Sequence, residues 1–457
     1  MIERYENECI KNLWGLLSKY KHWWKVEFAI IFARDYCEKG YLQLSDFVCD
    51  IHKKVEITQK TVEEIARIEA KTKHDLASFV EAVRNQLPDD LKKHVHSGGV
   101  TSYDIEEPAL ARIMIVSVDY LKALVHDLMA TLIKKAVEHK KLLMVAHTHS
   151  QHAQPYTLGI KLLGYYDDIR RSLDKLLLLQ EDLKFSKISG AIGMYGDGLN
   201  PKIEEAALKE LGLKPAKFSR QIILRDTIAR VVSELAILGS MIEKIAIDLR
   251  LASYTERREL QEPFSKTQKG SSVMPFKKNP INWEKVSGMA RILRANANVA
   301  MENIATWEER DISHSSVERI ILPDSFHIIC HMLTCMRESL ENLTVNVDQI
   351  QKNLESTLPM LLSPTISSFL IEETKKTPDE IYRILQKTAF DFVENGGDFF
   401  ELLRKHPDLK GYRLGVGLKS VKEKYFVDMF SFVDQIFERV WGSKIDPDNL
   451  PVSFYAP

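Results

Sequence analysis

The chain lacks a disulfide framework, a membrane-length apolar run and a net charge of either sign, and each lack narrows what it can be. Only five cysteines, Cys9, Cys37, Cys49, Cys330 and Cys335, occur in 457 residues. They form no close-spaced pair and make an odd number, which predicts reduced thiols rather than a disulfide scaffold. No run of about 18 apolar residues is present, and the opening MIERYENEC has no apolar signal core, so a soluble, cytoplasmic protein with no membrane partner is expected. Lysine plus arginine (63) nearly balances aspartate plus glutamate (64), so no global field draws the chain to nucleic acid. Any anion site must therefore be local. Alternating β-type runs are scarce, and internal repeats and low-complexity tracts are missing. At this length a large core and two or three domains are expected.

What is present is helical periodicity. From Asp226 to about Thr255 the chain has no proline, and Ile228, Val231, Leu235, Leu238, Ile242, Ile245 and Leu249 recur at spacings of three and four. That is the seam by which helices pack side by side. A helix of that length spans roughly 40 Å. A second long helix is expected after Pro108, through Met114, Val118, Leu121, Val125, Leu128 and Leu132. A third is expected after Pro280, through Trp283, Met289, Ile292 and Leu293. Shorter helices with turn signals at Cys37–Gly40 and Leu87–Asp90 precede them. Past about Asn346 breaks at Pro359, Pro364, Pro378 and Gly396-Gly397 predict shorter helices again, with an irregular tail, PVSFYAP. The division predicted is 1–96, a helical domain; 97–347, a central long-helix bundle; and 348–457, a helical C-terminal domain. Such long apolar faces are hard to cover within one subunit, which predicts self-association.

Three segments have the composition of a site. QKGSSVMPFKKNP, Gln268 to Pro280, joins flexible glycine, a serine pair, three lysines and an amide ahead of a helix start. It reads as an anion-binding loop or as a solvated basic loop. AHTHSQHAQP, Ala146 to Pro155, puts three histidines in six residues, open to a metal site, an acid/base histidine or a polar turn. ENIATWEERDISHSSVER, Glu302 to Arg319, has Ser315 three residues before Glu318, the spacing of a capping box. A helix start flanked by Arg310 and Arg319 suits phosphate, and it equally suits an ordinary capped helix with surface ion pairs. Smaller features are Arg4-Tyr5, Thr72-Lys73-His74-Asp75, and Thr101-Ser102 in the turn HSGGVTSYD.

Taken together, these segments resemble the fumarase/aspartase superfamily. GSSVMPFKKNP is similar to its GSSxMPxKxNP loop, which marks the superfamily as a whole. ERDISHSSVER, MIERY, TKHD, THSQHAQP and SGAIG narrow the resemblance to the branch acting on succinylated purine nucleotides, over nearly the whole chain and in the right order. The resemblance implies an all-α, three-domain fold whose central long-helix bundle forms a tetrameric core. It implies a homotetramer with shared active sites, and β-elimination of fumarate from a succinyl-amine with no cofactor and no metal.

It also implies roles. Ser271 would be the base that takes the succinyl β-proton, and His149 the acid that protonates the leaving nitrogen, oriented by Glu284. Lys277 would stabilise the dianionic intermediate and Asn279 would hold the succinyl carboxylate, with Ser272, Thr101 and Ser102 binding the acid end of the substrate. Arg4, Tyr5, Arg310, Ser315 and Arg319 would surround the phosphate. Lys73, His74, Asp75, Thr148 and Gln221 would make further substrate contacts. Three positions depart from the pattern. Ser97 stands where the family has a histidine, with His96 one step earlier and an extra glycine in the turn; His147 and Lys285 replace arginines. None removes the acid, the base or the carboxylate clamp, so they bear on substrate more than on reaction. The rival readings are a paralogue acting on another succinyl-amine, a non-catalytic protein that retains the fold, and a metal-dependent hydrolase.

Overall fold

The computed structural model describes residues 1–441 except 197, 266 and 413, and only the backbone of 415–419. The expected irregular tail, PVSFYAP, lies outside the described residues. Helices dominate. Among the described residues the strands form three two-stranded sheets, of which the antiparallel pair Leu143–Thr148 and Gln151–Thr157 is the longest.

Two of the three predicted seams hold in full. All seven apolar residues counted from Ile228 to Leu249 are buried in the helix Asp226–Ala252, as are all six from Met114 to Leu132 in Ser102–Glu138. In Ile281–Glu302 the buried stripe runs through Trp283, Val286, Ala290, Leu293, Ala297 and Ala300. Ile292 lies off that stripe and is 50% exposed, contrary to its expected place in the seam.

The helix expected to begin near Pro108 begins at Ser102 and absorbs the proline in its second turn. The reason is local. The Thr101 amide and hydroxyl both donate to Asp104 Oδ2, at 2.8 and 3.2 Å, which fixes the start ahead of the proline. Leu158–Asp182 and Ser313–Glu341 are long as well, and so are Leu16–Lys39 and the last described helix, Gly415–Trp441, both of which lie where shorter helices were expected.

The chain forms two compact units: Met1–Val125, Arg170–Glu243 and Val286–Cys335 in one, and His126–Ile169, Lys244–Lys285 and Met336–Pro457 in the other. Inside the first, Tyr20, Trp23 and Phe79 pack ring to ring at 5.4 to 5.9 Å. Three of its helices meet at Gly239, where an added Cβ would lie 2.5 Å from Leu293 Cδ1 and 3.6 Å from Met332 Cε. A methyl there would displace the end of the Leu293 side chain, so the glycine leaves room for Leu293 and Met332 to pack against the helix. The second unit has its own core, including Leu354, Leu358, Ile366, Leu370, Ile381 and Phe399.

Candidate active site

In the first unit, two of the residues expected at the phosphate, Ser315 and Arg319, sit on a fixed helix start. Asp311 accepts from the amides of Trp307 and Ser313, both at 2.7 Å, and so anchors the approach to Ser313–Glu341. Hydrogen bonds from the Ser313 side chain and from these amides hold its carboxyl down to about 2. Ser315 is buried in the first turn, and Arg319, one turn on, donates to Asp75 at 2.7 Å. Lys19 reaches the same carboxylate at 3.3 Å. Ser315, Arg319 and Asp75 line one cavity of about 380 Å³.

Arg310 lies with its guanidinium carbon 3.8 Å from the Tyr103 ring centroid and donates to Gln221 Oε1 at 3.0 Å. Its buried Nε has no hydrogen-bond partner among the described residues. Tyr5 packs edge-on against His331, with centroids 5.3 Å apart, and Arg4 is exposed beside it in a short 3-10 turn. Lys73 takes a left-handed conformation (φ 56°) that ends the helix Gln59–Thr72. His74 caps the next helix, its Nδ1 accepting from the Ala77 amide at 3.3 Å. That bond places the proton of the neutral ring on Nε2, on the side facing away from the cap.

The departure at Ser97 is absorbed in a left-handed turn, with positive φ at His96 (49°), Gly98 (54°) and Gly99 (75°). Buried Glu27 accepts from the His96 amide, and its Oε2 lies 3.3 Å from His96 Nδ1. Arg34 donates to the Ser97 hydroxyl and to the carbonyls of Ser97 and Gly98, each at 2.7 Å. The extra glycine thus costs the turn no anchorage, and His96 lines a cavity of about 480 Å³ together with His74 and Ser102. Glu27 and Arg34 carry no local motif, so sequence reasoning had no signal for them.

In the second unit, the three-histidine segment is a β-hairpin, which the sequence reading missed. Thr148 pairs with Gln151, leaving His149 and Ser150 as a two-residue turn with φ of 52° and 63°. Positive φ at both central residues is the signature of a type I′ turn. His149 is exposed at its tip and Thr148 beside it. His147 and His152 face each other across the strands, rings 4.9 Å apart and nearly perpendicular, and His152 Nδ1 lies 2.7 Å from Thr357 Oγ1. Among the described residues, no group of three or more His, Cys, Asp or Glu side chains is placed to hold a metal ion.

The quoted loop is closed at its neck. Asn279 Nδ2 donates to the Gly270 carbonyl at 2.8 Å, and an added Cβ on Gly270 would lie 2.0 Å from the Lys277 carbonyl oxygen. Inside the loop, Ser271 Oγ accepts from the amides of Val273 and Met274, at 3.3 and 3.0 Å. Two N–H groups aimed at a hydroxyl oxygen stabilise its alkoxide form, the condition for a serine to act as a base. Val273 and Phe276 stand out at the tip, 83% and 82% exposed, with Ser272 and Lys277 exposed alongside. The following helix is anchored by buried Glu262, which accepts from the Asn282 side chain at 2.6 Å and from the amides of Asn282 and Trp283. This cap comes from twenty residues upstream, beyond any local pattern. Glu284 is exposed on the first turn. No hydrogen bond or ion pair joins it to His149 among the described residues of this one chain.

Gly270→Ala is expected to lower turnover roughly 10²-fold with little change in thermal midpoint, because opening the neck shifts Ser271 and Asn279 by about an ångström. Steady-state kinetics beside a melting curve would check this. Wild-type turnover in the variant would mean that the closed neck is irrelevant to activity.

Comparison with known proteins agrees with the fold and then narrows it. The fold matches the crystal structure of a fumarate lyase from Mesorhizobium sp. BNC1, with a TM-score of 0.84 at 20% identity, covering 97% of this chain and 100% of that one. It also matches 3-carboxy-cis,cis-muconate lactonizing enzyme from Pseudomonas putida, with a TM-score of 0.83 at 22% identity over 96% and 98% of the two chains. A lyase family model matches residues 12–293. The architecture is therefore that of the all-α fumarate lyases, and the chain is a lyase. Curated relatives named adenylosuccinate lyase are 37% identical in Aquifex aeolicus (strain VF5), over 97% of this chain and all of that one, and 34% identical in Bacillus subtilis (strain 168), over 96% and 99%. The chain belongs to the adenylosuccinate lyase family of carbon–nitrogen lyases.

Proposed function

We propose that the protein eliminates fumarate from adenylosuccinate, giving AMP, and from succinyl-aminoimidazole-carboxamide ribotide, giving the free carboxamide. The observation that carries this reading is identity of 34 to 37% along nearly the full length with relatives of that name. Ser271, stabilised as an alkoxide by two amides, takes the β-proton. The resulting charge spreads into the adjacent carboxylate, which Lys277 and Asn279 grip with Ser272, Thr101 and Ser102. His149, oriented by Glu284, then protonates the departing nitrogen as the C–N bond breaks.

Arg4, Tyr5, Arg310, Ser315 and Arg319 take the phosphate, the free Nε of Arg310 offering a donor. Lys73, His74, Asp75, Thr148 and Gln221 complete the substrate contacts. Sites shared within a homotetramer, built on the long helices of the 97–347 domain between smaller domains at 1–96 and 348–457, bring His149 and Glu284 together. The cell compartment in this reading is the cytoplasm; no described helix is long and apolar enough to cross a membrane. A paralogue acting on another succinyl-amine is the second reading, and Ser97 in place of the family histidine is what favours it. His96, sharing a cavity with His74 and Ser102, is the residue to fill that role if the substrate is the purine nucleotide.

The test is fumarate release from the two purine intermediates and from other succinyl-amines. Turnover of either purine intermediate in preference to the rest is expected. Elimination from another aspartate adduct alone would replace the nucleotide reading with the paralogue.

A further inference from the structure

The cavity that holds Ser315 and Arg319 contains an acid for which the elimination has no task. Glu106, on the helix Ser102–Glu138, shares this space of about 380 Å³ with Asp75 and Lys19, above a floor that includes Trp14, Trp23 and Ile113. The two carboxyls are treated differently. Asp75 has Arg319 at 2.7 Å and Lys19 at 3.3 Å. Burial works to raise it, but the two cations hold it below the usual carboxylate range. Glu106 has no hydrogen bond or ion pair among the described residues. Burial first, and then the charge of Asp75, push it up to about 7 against Lys19, Arg319 and Arg310.

Four other ionisable groups line the cavity. Glu318 pairs with buried Arg225 at 3.0 Å, Glu69 lines the wall from Gln59–Thr72, and Tyr103 and Tyr20 are both pushed to about 12 by burial and stay neutral. A carboxylate facing an incoming phosphate dianion in an apolar cavity would oppose it, whereas the protonated acid is a donor.

We propose that Glu106 meets the nucleotide's phosphate as a neutral carboxylic acid, donating a hydrogen bond to a phosphate oxygen beside Ser315 and Arg319, so that nucleotide binding draws a proton from solvent. This rests on the reading that Ser315 and Arg319 hold the phosphate. It adds a ligand of a kind the sequence reading did not consider there, a group that selects a phosphoryl anion by supplying a proton rather than a fixed charge.

Calorimetry of AMP binding at pH 7, in two buffers of different ionisation enthalpy, reads the proton directly. The wild-type protein is expected to take up a fraction of a proton more than Glu106→Gln, because a carboxyl raised towards neutrality is only partly protonated before binding. The variant, whose amide still donates, is expected to bind AMP within roughly tenfold of wild type. Equal uptake by the two proteins would overturn this inference and leave the nucleotide reading standing. Failure of AMP to bind either protein would overturn both.

Thermal midpoints without ligand give a second readout. A folded carboxyl near 7 and an unfolded one near 4.5 mean that between those pH values the folded state keeps a proton the unfolded state has lost. Stability therefore falls as pH rises through that window and stays low above it. Glu106→Gln escapes the loss, so its midpoint is expected to exceed wild type by a few degrees at pH 8 and to converge with it towards pH 4.5. A difference between the two proteins that does not change with pH would show Glu106 ionised throughout, and would overturn the proposal.

Discussion

Ser271→Ala and His149→Ala are each expected to reduce fumarate release roughly 10²- to 10⁴-fold, the range a positioned general base or acid supplies. Helical content and thermal midpoint should stay at wild-type values, because both side chains lie on a loop or a hairpin tip and neither is buried. The two losses should differ in character. Without Ser271 the amides of Val273 and Met274 lose their acceptor and proton abstraction fails, so exchange of the succinyl β-proton with solvent deuterium should vanish along with product. Without His149 proton abstraction has its base, and what fails is departure of the nitrogen. A substrate analogue with a better leaving group should then recover activity in His149→Ala and not in Ser271→Ala. Near-normal turnover in both variants would sink the assigned mechanism.

The second large effect concerns stability. Arg225 is 1% exposed and donates to both carboxylate oxygens of Glu107, at 2.7 and 2.9 Å, while its Nε pairs with Glu318 at 3.0 Å. Burial works against its charge, but Glu107 and Glu318 keep it firmly protonated. Arg225→Leu would leave two carboxylates facing each other without a cation, a change expected to cost about 3 to 5 kcal/mol. Glu107 adjoins Glu106 and Glu318 adjoins Arg319, so the network also sets the spacing of the two helices that carry those residues. Denaturant unfolding should show the loss, and AMP affinity should fall with it in any variant that still folds. A change below about 1 kcal/mol would mean that the cavity tolerates the exposed acids, for instance by admitting water.

The long helices were legible wherever an apolar seam ran unbroken, as from Ile228 to Leu249. They were misread where proline intervened. The missing amide of Pro108 suits a first turn and so predicts a start there, yet Thr101 and Asp104 secure the helix six residues earlier. The Ser313–Glu341 helix likewise runs through Pro323. The hairpin escaped because THSQHAQ has no apolar alternation, and what holds it is its pairing register and the His147–His152 contact. Motif-bearing residues could be singled out without coordinates, since GSSVMPFKKNP and ERDISHSSVER are specific over many positions. The residues that support them could not. Glu262, Glu27, Arg34 and Glu106 act across twenty or more residues, or through burial, and a chain read in order gives no sign of either.

The tip of the hairpin has a consequence beyond geometry. A two-residue turn of this type folds most readily with asparagine and glycine, which accept positive φ at little cost. This chain places histidine and serine there instead. Selection for the easiest local fold would erase the imidazole, so a histidine held at positive φ here is what the proposed acid role requires of the turn. It also sets a limit on redesign: an Asn-Gly replacement is the obvious way to make this hairpin sturdier, and the same exchange would remove its proposed acid.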